Sequence, residues 1–179
     1  PEDVEAALAA QGITEPIAYD AGAGRIAVAY RAGAAFGDPV EDEPAAVARA
    51  CRKLSRRSNG RPPVLVDSRY ALFGFRGMTA CTPNESEVEQ LLGIRIADNV
   101  KVLEKAGREI LARTRGRAVL VTRGSRGMAL FERDRPTTHI PIFGSDQIAD
   151  VTGAGDTVIA TMTLALAAGA TFLEAARLA

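Results

Sequence analysis

Apolar positions along this chain cluster into short blocks separated by longer amphipathic stretches, and the blocks read as strands alternating with helices. Pro16-Ile-Ala-Tyr-Asp20 and Val64-Leu-Val-Asp67 are apolar runs that each end in an acid, and Ala118-Val-Leu-Val-Thr122 is the clearest strand. Short continuous apolar runs of this kind suit strands buried on both faces. Further strands are read at Ile26–Tyr30, inside an ambiguous stretch, at Met78–Thr82 and at Thr137–Ile142. Met128–Phe131 follows Thr122 through Arg123-Gly124-Ser125-Arg126-Gly127 and reads as a hairpin partner. Helices are expected over 1–11, with an acidic first turn and a Gly12 stop, and from Glu41-Asp-Glu-Pro44 to about Arg57. Glu85–Leu92 closed by Gly93, Ala97–Arg113, and a helix that starts after Gly153-Ala154-Gly155 complete the pattern.

Strands separated by helices predict an α/β fold, a largely parallel sheet with helices on both faces. Ligands of such sheets gather beyond the carboxyl ends of the strands. Asp20, Asp67, Asn84 and Thr122 all stand at or just past such ends and are expected to share one rim. No repeat, low-complexity tract or linker divides the chain, so residues 1–179 read as one domain.

Charge removes several function classes. Lys+Arg 22 balance Asp+Glu 22, and aromatics are 5% with no Trp, which leaves neither a basic face nor a stacking platform for nucleic acid. The longest apolar run, Val158–Ala170, contains two threonines and a glycine and is too short for a membrane span. The first residues lack the pattern of a signal peptide, and Cys51 and Cys81 lack CxxC spacing; both thiols read as reduced, in a cytoplasmic protein. His139, the only histidine, has no evident partners for a triad or zinc site and reads as structural.

The chemistry concentrates in three motifs. Asp150-Val-Thr152-Gly153-Ala154-Gly155-Asp156 precedes an apolar helical run: a glycine turn whose N–H groups face outward at the positive end of a helix, with an acid on its first turn. Phosphoryl transfer to a hydroxyl needs both donors for the developing charge and an acceptor for the departing proton. Thr82-Pro-Asn84-Glu-Ser-Glu87 opens a helix and sets an amide and a carboxylate one turn apart. That pair could order Mg²⁺ through water, and equally could be a capping box. Thr122-Arg-Gly124-Ser-Arg-Gly127 puts a hydroxyl at a strand end beside two glycines, which fits a phosphate approach and equally a hairpin turn. A P-loop sequence is absent, as is a dinucleotide GxGxxG after the first strand.

Together, in this order, the motifs resemble the ribokinase/PfkB family of ATP-dependent sugar kinases. Asp150–Asp156 is similar to the family's D-T-x-G-A-G-D, with Val151 in place of Thr; Asn84 and Glu87 match N-x-x-E; Thr122, Gly124 and Gly127 match T-x-G-x-x-G. Val64–Asp67, Phe75–Gly77 and Cys81–Asn84 look most like the heptose-phosphate kinase branch. The resemblance implies a three-layer Rossmann-like ribokinase fold, here truncated at both ends, with the sugar-binding half and the last adenine-side segments missing. It implies transfer of the ATP γ-phosphoryl group to a sugar or sugar-phosphate hydroxyl. Asp156 would accept the proton, and Gly153, Ala154 and Gly155 would hold the phosphoryl charge. Asn84, Thr122, Gly124 and Gly127 would line the nucleotide, and Glu87 would order Mg²⁺ with Asn84. Asp150 and Thr152 match positions that hold an activating monovalent cation in some relatives. A homodimer is implied for the complete protein. Two other readings stay open: a catalytically incomplete remnant or nucleotide-binding module, and a vitamin-precursor kinase of the same superfamily.

Overall fold

The computed structural model describes residues 16–18, 28–32, 63–69, 71–142 and 153–179. The helices expected over 1–11 and 41–57, the rim acid Asp20, the thiol Cys51, and Asp150 and Thr152 lie outside the described residues. The strands are β1 (Pro16–Ala18), β2 (Val28–Ala32), β3 (Val64–Ser68), β4 (Ala80–Cys81), β5 (Ala118–Thr122), β6 (Met128–Glu132) and β7 (Thr138–Ile140). They form one sheet in sequence order. The parallel character expected from the sequence belongs to β2 through β5. Both margins are antiparallel: β1 on β2, and β6 and β7 beyond β5.

The helices are α1 (Glu85–Leu92), α2 (Val100–Thr114), α3 (Ala154–Ala167) and α4 (Phe172–Leu178). Alternation along the strands divides the core between two layers. Val66, Cys81, Val119 and Val121 pack with Val88 of α1 and Leu103 and Ile110 of α2. Leu65, Ala80, Ala118 and Leu120 pack on the other face, with Ile159 and Met162 of α3 and Ala175 and Ala176 of α4. Three layers result, with β3, β4 and β5 buried between helices.

Several boundaries follow from local chemistry. β4 is shorter than the Met78–Thr82 strand expected from the sequence, and beyond it Asn84 bridges Thr122 across Pro83. α2 starts at Val100 rather than Ala97, since Asn99 Oδ1 accepts from the N–H groups of Lys101 and Val102. The apolar run expected to continue to Ala170 is broken at Gly169, φ 99°, and α4 begins afresh in a capping box of Thr171 and Glu174. Mid-helix Gly107 admits the Phe131 ring, whose atoms would stand 2.5 Å from a Cβ there.

A polar corner pins the β6–β7 hairpin to α2. Arg108 donates to Glu104 Oε1 at 2.9 Å, the Glu132 carbonyl at 2.6 Å, the Arg135 carbonyl at 2.8 Å and Thr137 Oγ1 at 2.9 Å. Thr137 Oγ1 in turn donates to Glu104. Burial pushes the Glu104 carboxyl up, but the hydrogen bonds from Thr137 and Arg108 and the Arg108 charge outweigh it and hold the pKa below its usual value. His139, on β7, is exposed and adds a smaller lowering influence on Glu104. No helix among the described residues is long and apolar enough to cross a membrane.

Candidate functional site

The carboxyl ends of β3, β4 and β5 carry Asp67, the Thr82–Asn84 segment and Thr122. The registers Val66 with Cys81 and Cys81 with Val119 bring these ends side by side. An isolated parallel bridge joins Asn84 to Thr122, and the Thr122 N–H donates to the Pro83 carbonyl at 3.1 Å. Three of the four residues expected to share the rim therefore do so; Asp20 lies outside the described residues. Asp67 is 9% exposed, and Cys81 next to it is a buried free thiol. Burial first, and then the Asp67 charge, push the Cys81 pKa far above the usual thiol value, so this sulfur is an inert core group.

Asn84 and Glu87 close a capping box. Asn84 Oδ1 accepts from the Glu87 N–H and Glu87 Oε2 from the Asn84 N–H, both at 2.9 Å. Arg69 Nε stands 3.6 Å from Glu87 Oε1. The carboxylate is thus already held from both sides, which suits it to a metal-bound water rather than to direct ligation. Among the described residues there is no group of three or more His, Cys, Asp or Glu that could hold a metal ion.

The turn after β5 is fixed by ion pairs that the sequence reading missed. Glu85, at the start of α1, accepts from Arg123 Nε at 2.8 Å and from Arg126 Nη2 at 2.6 Å. Arg126 also pairs with Asp98 at 2.8 Å. Arg123 and Glu85 are 9% and 12% exposed at their side chains, so this pair is shielded from solvent screening. The available signal was charge complementarity between a helix start and an arginine-rich turn. The two glycines of that turn differ. Gly127, φ 74°, passes so close to β7 that a Cβ would stand 2.1 Å from the Ile140 carbonyl oxygen, whereas a Cβ at Gly124 would meet nothing within 4 Å.

Helix α3 begins at Gly153, φ 80°, with Gly153, Ala154 and Gly155 exposed and Asp156 half-buried. Its polarity follows from α4. Arg117, just before β5, stands over the Phe172 ring at 5.2 Å, which puts the start of α4 at the amino end of the strands. The end of α3 adjoins that point, and a helix of this length spans about 21 Å, so its start reaches the opposite, carboxyl edge. A helix laid antiparallel to the strands, as in such layers, starts at the end of the sheet that carries the Asn84–Thr122 rim. A Cβ on Gly155 would meet nothing within 4 Å, and its φ is not positive. Neither packing nor backbone conformation demands a glycine there. With Gly124 it leaves the room that a phosphate chain needs beside bare N–H groups, so the residues present fit a nucleotide.

Comparison with known proteins bears on the family and the fold. Residues 24–179 match the model of the pfkB family carbohydrate kinases. The bifunctional protein HldE of Geobacter metallireducens is 45% identical over 118 residues, 65% of this chain and 24% of that protein. The matched stretch is therefore about a quarter of the relative's length. Among solved structures, Escherichia coli phosphofructokinase-2 in complex with potassium superposes with TM-score 0.64 at 21% identity, over 83% of this chain and 46% of that one. Arabidopsis thaliana ribokinase complexed with ribose and ATP gives TM-score 0.58 at 26% identity, over 76% and 43%.

Proposed function

Because this chain belongs to the pfkB family of carbohydrate kinases, we propose that it forms the nucleotide side of an ATP-dependent kinase that passes the γ-phosphoryl group to the hydroxyl of a sugar or sugar phosphate. Heptose phosphate is the acceptor class that fits the Val64–Asp67, Phe75–Gly77 and Cys81–Asn84 context. The observation that carries the reading is Gly155, a glycine in helical backbone at the start of α3 whose added Cβ would meet nothing within 4 Å.

In this reading the N–H groups of Gly153, Ala154 and Gly155 donate to the phosphoryl oxygens as charge develops on them. Asp156, the third residue of the helix, takes the proton of the attacking hydroxyl and works as a positioned acceptor at the start of α3. Thr122, Gly124 and Asn84 line the nucleotide, and Gly127 sets the turn that carries them. Bound Mg²⁺ supplies charge neutralisation along the phosphates, with Glu87 and Asn84 holding its water shell. Asp150 and Thr152 are assigned to a monovalent cation, in keeping with the potassium complex of phosphofructokinase-2. We assign the protein to the cytoplasm, as a homodimer.

The second reading, a nucleotide-binding module without transfer, draws on the Asn84–Glu87 box, which is already satisfied internally. One experiment separates them. The full-length protein is assayed for phosphoryl transfer from ATP to a panel of sugars and sugar phosphates, with ATP binding measured in parallel. Transfer to one acceptor class supports the kinase, binding without transfer supports the module, and neither result overturns both.

A further inference from the structure

Among the described residues, Thr82 Oγ1 is a buried side-chain oxygen without a hydrogen-bond partner, and the residue is only 4% exposed. A buried hydroxyl without a hydrogen-bond partner costs free energy that a valine of nearly the same shape would not. Folding does not explain it. Its position suggests what does. Ala80 belongs to the core layer beneath α3 and α4, and Cys81 to the opposite layer, so strand alternation turns Thr82 toward the α3 side. The same alternation carries Asp67, after Leu65, and Thr122, after Leu120, to that side. Thr82 therefore lies in the floor of the rim, between the ends of β3 and β5, below the edge where α3 begins.

We propose that Thr82 is a ligand-contacting residue of this site, whose hydroxyl donates a hydrogen bond to a phosphoryl oxygen of bound Mg·ATP. The inference rests on the phosphoryl-transfer reading above and adds to it a contact from the sheet side, facing the N–H groups of Gly153–Gly155. The neighbouring Asp67 carboxylate would repel a bare phosphate chain, so the species bound is the magnesium complex, whose charge is partly neutralised.

The test compares Thr82→Val and Thr82→Ser in the full-length protein, by Mg·ATP affinity, KM and kcat, and by thermal unfolding. Thr82→Val is expected to melt at or above the wild-type temperature while its Mg·ATP affinity falls about tenfold or more, the cost of one hydrogen bond to a charged acceptor. Thr82→Ser, which keeps the donor, is expected to bind within about twofold of wild type. A Thr82→Val protein that binds Mg·ATP like wild type overturns the proposal, as does one that melts lower, since the hydroxyl then serves the fold. If wild type itself fails to bind Mg·ATP, the kinase reading falls and this contact with it; if wild type binds and only the variant result is negative, the kinase reading stands.

Discussion

The Arg108 corner and the carboxyl-end rim are both rich in polar groups, and they are built on opposite plans. At the corner, Nε, Nη1 and Nη2 of Arg108 each have an acceptor, and Thr137 and Glu104 bond to each other as well. Beside it, Gly107 packs so tightly that a Cβ would stand 2.5 Å from the Phe131 ring. At the rim, Thr82 Oγ1 has no partner among the described residues, and Gly155, in helical backbone, faces space in which a Cβ would touch nothing within 4 Å. Groups that hold a fold close on one another, because an unpaired buried donor weakens it. Groups left open at a strand edge beside a helix start mark the place where something else completes the bonding.

The sharpest way to break this contrast is at Asp156. In the full-length protein, Asp156→Asn is expected to lower kcat by about 10²–10⁴-fold while ATP affinity stays near wild type. Retention of more than about a tenth of wild-type kcat would remove Asp156 from the proton-accepting role.

Next in size is a pair of glycine substitutions. Gly127→Ala meets the Ile140 carbonyl in a backbone conformation with φ 74°, and a loss of roughly 3 kcal/mol of stability is expected in denaturant unfolding. Gly155→Ala meets nothing and should gain about 0.5–1 kcal/mol as a helical alanine, yet lose ATP affinity because the added methyl occupies the phosphate approach. Equal stability changes at the two sites would erase the distinction between packing glycines and ligand glycines.

A smaller effect is expected at Glu87. If the capping box is its whole role, Glu87→Gln lowers stability by at most about 0.5–2 kcal/mol and leaves the magnesium requirement unchanged. If the carboxylate also holds metal-bound water, the Mg²⁺ concentration for half-maximal activity rises. Titrating Mg²⁺ and melting the same variant reads both.

The smallest effect is the pH response of the Arg108 corner. The Glu104 pKa is lowered from the usual 4.5 on folding, so its contribution to stability is complete above that value and is lost as pH falls through the lower, folded-state pKa. Unfolding measured from pH 5 downward is expected to show an acid-dependent loss that Glu104→Gln lacks, while ATP binding is not differentially affected. Because Glu104 is 41% exposed at its side chain, the loss should be modest and shrink with added salt.

Much of this protein was determined by local sequence. Glu85–Leu92 with its Gly93 stop and Ala118–Thr122 occur with the boundaries expected, because caps and uninterrupted apolar runs act within a few residues. The T-x-x-E signal at Thr171–Glu174 was equally present in the sequence, but the apolar run across it concealed a second helix. The site was legible as motifs but not as an arrangement. Chain order contains Asn84, Thr122 and Gly153–Asp156, while only parallel pairing of β3, β4 and β5 and the direction of α3 bring them to one edge. Other features were decided by tertiary structure alone, because their partners are distant in sequence. The Glu85 pairs with Arg123 and Arg126 depend on α1 starting beside the β5 turn. The antiparallel pairing of β1 with β2 depends on which strands meet. Thr82 Oγ1 is buried without a partner among the described residues, and no reading of Cys81-Thr-Pro-Asn84 in isolation contains that burial.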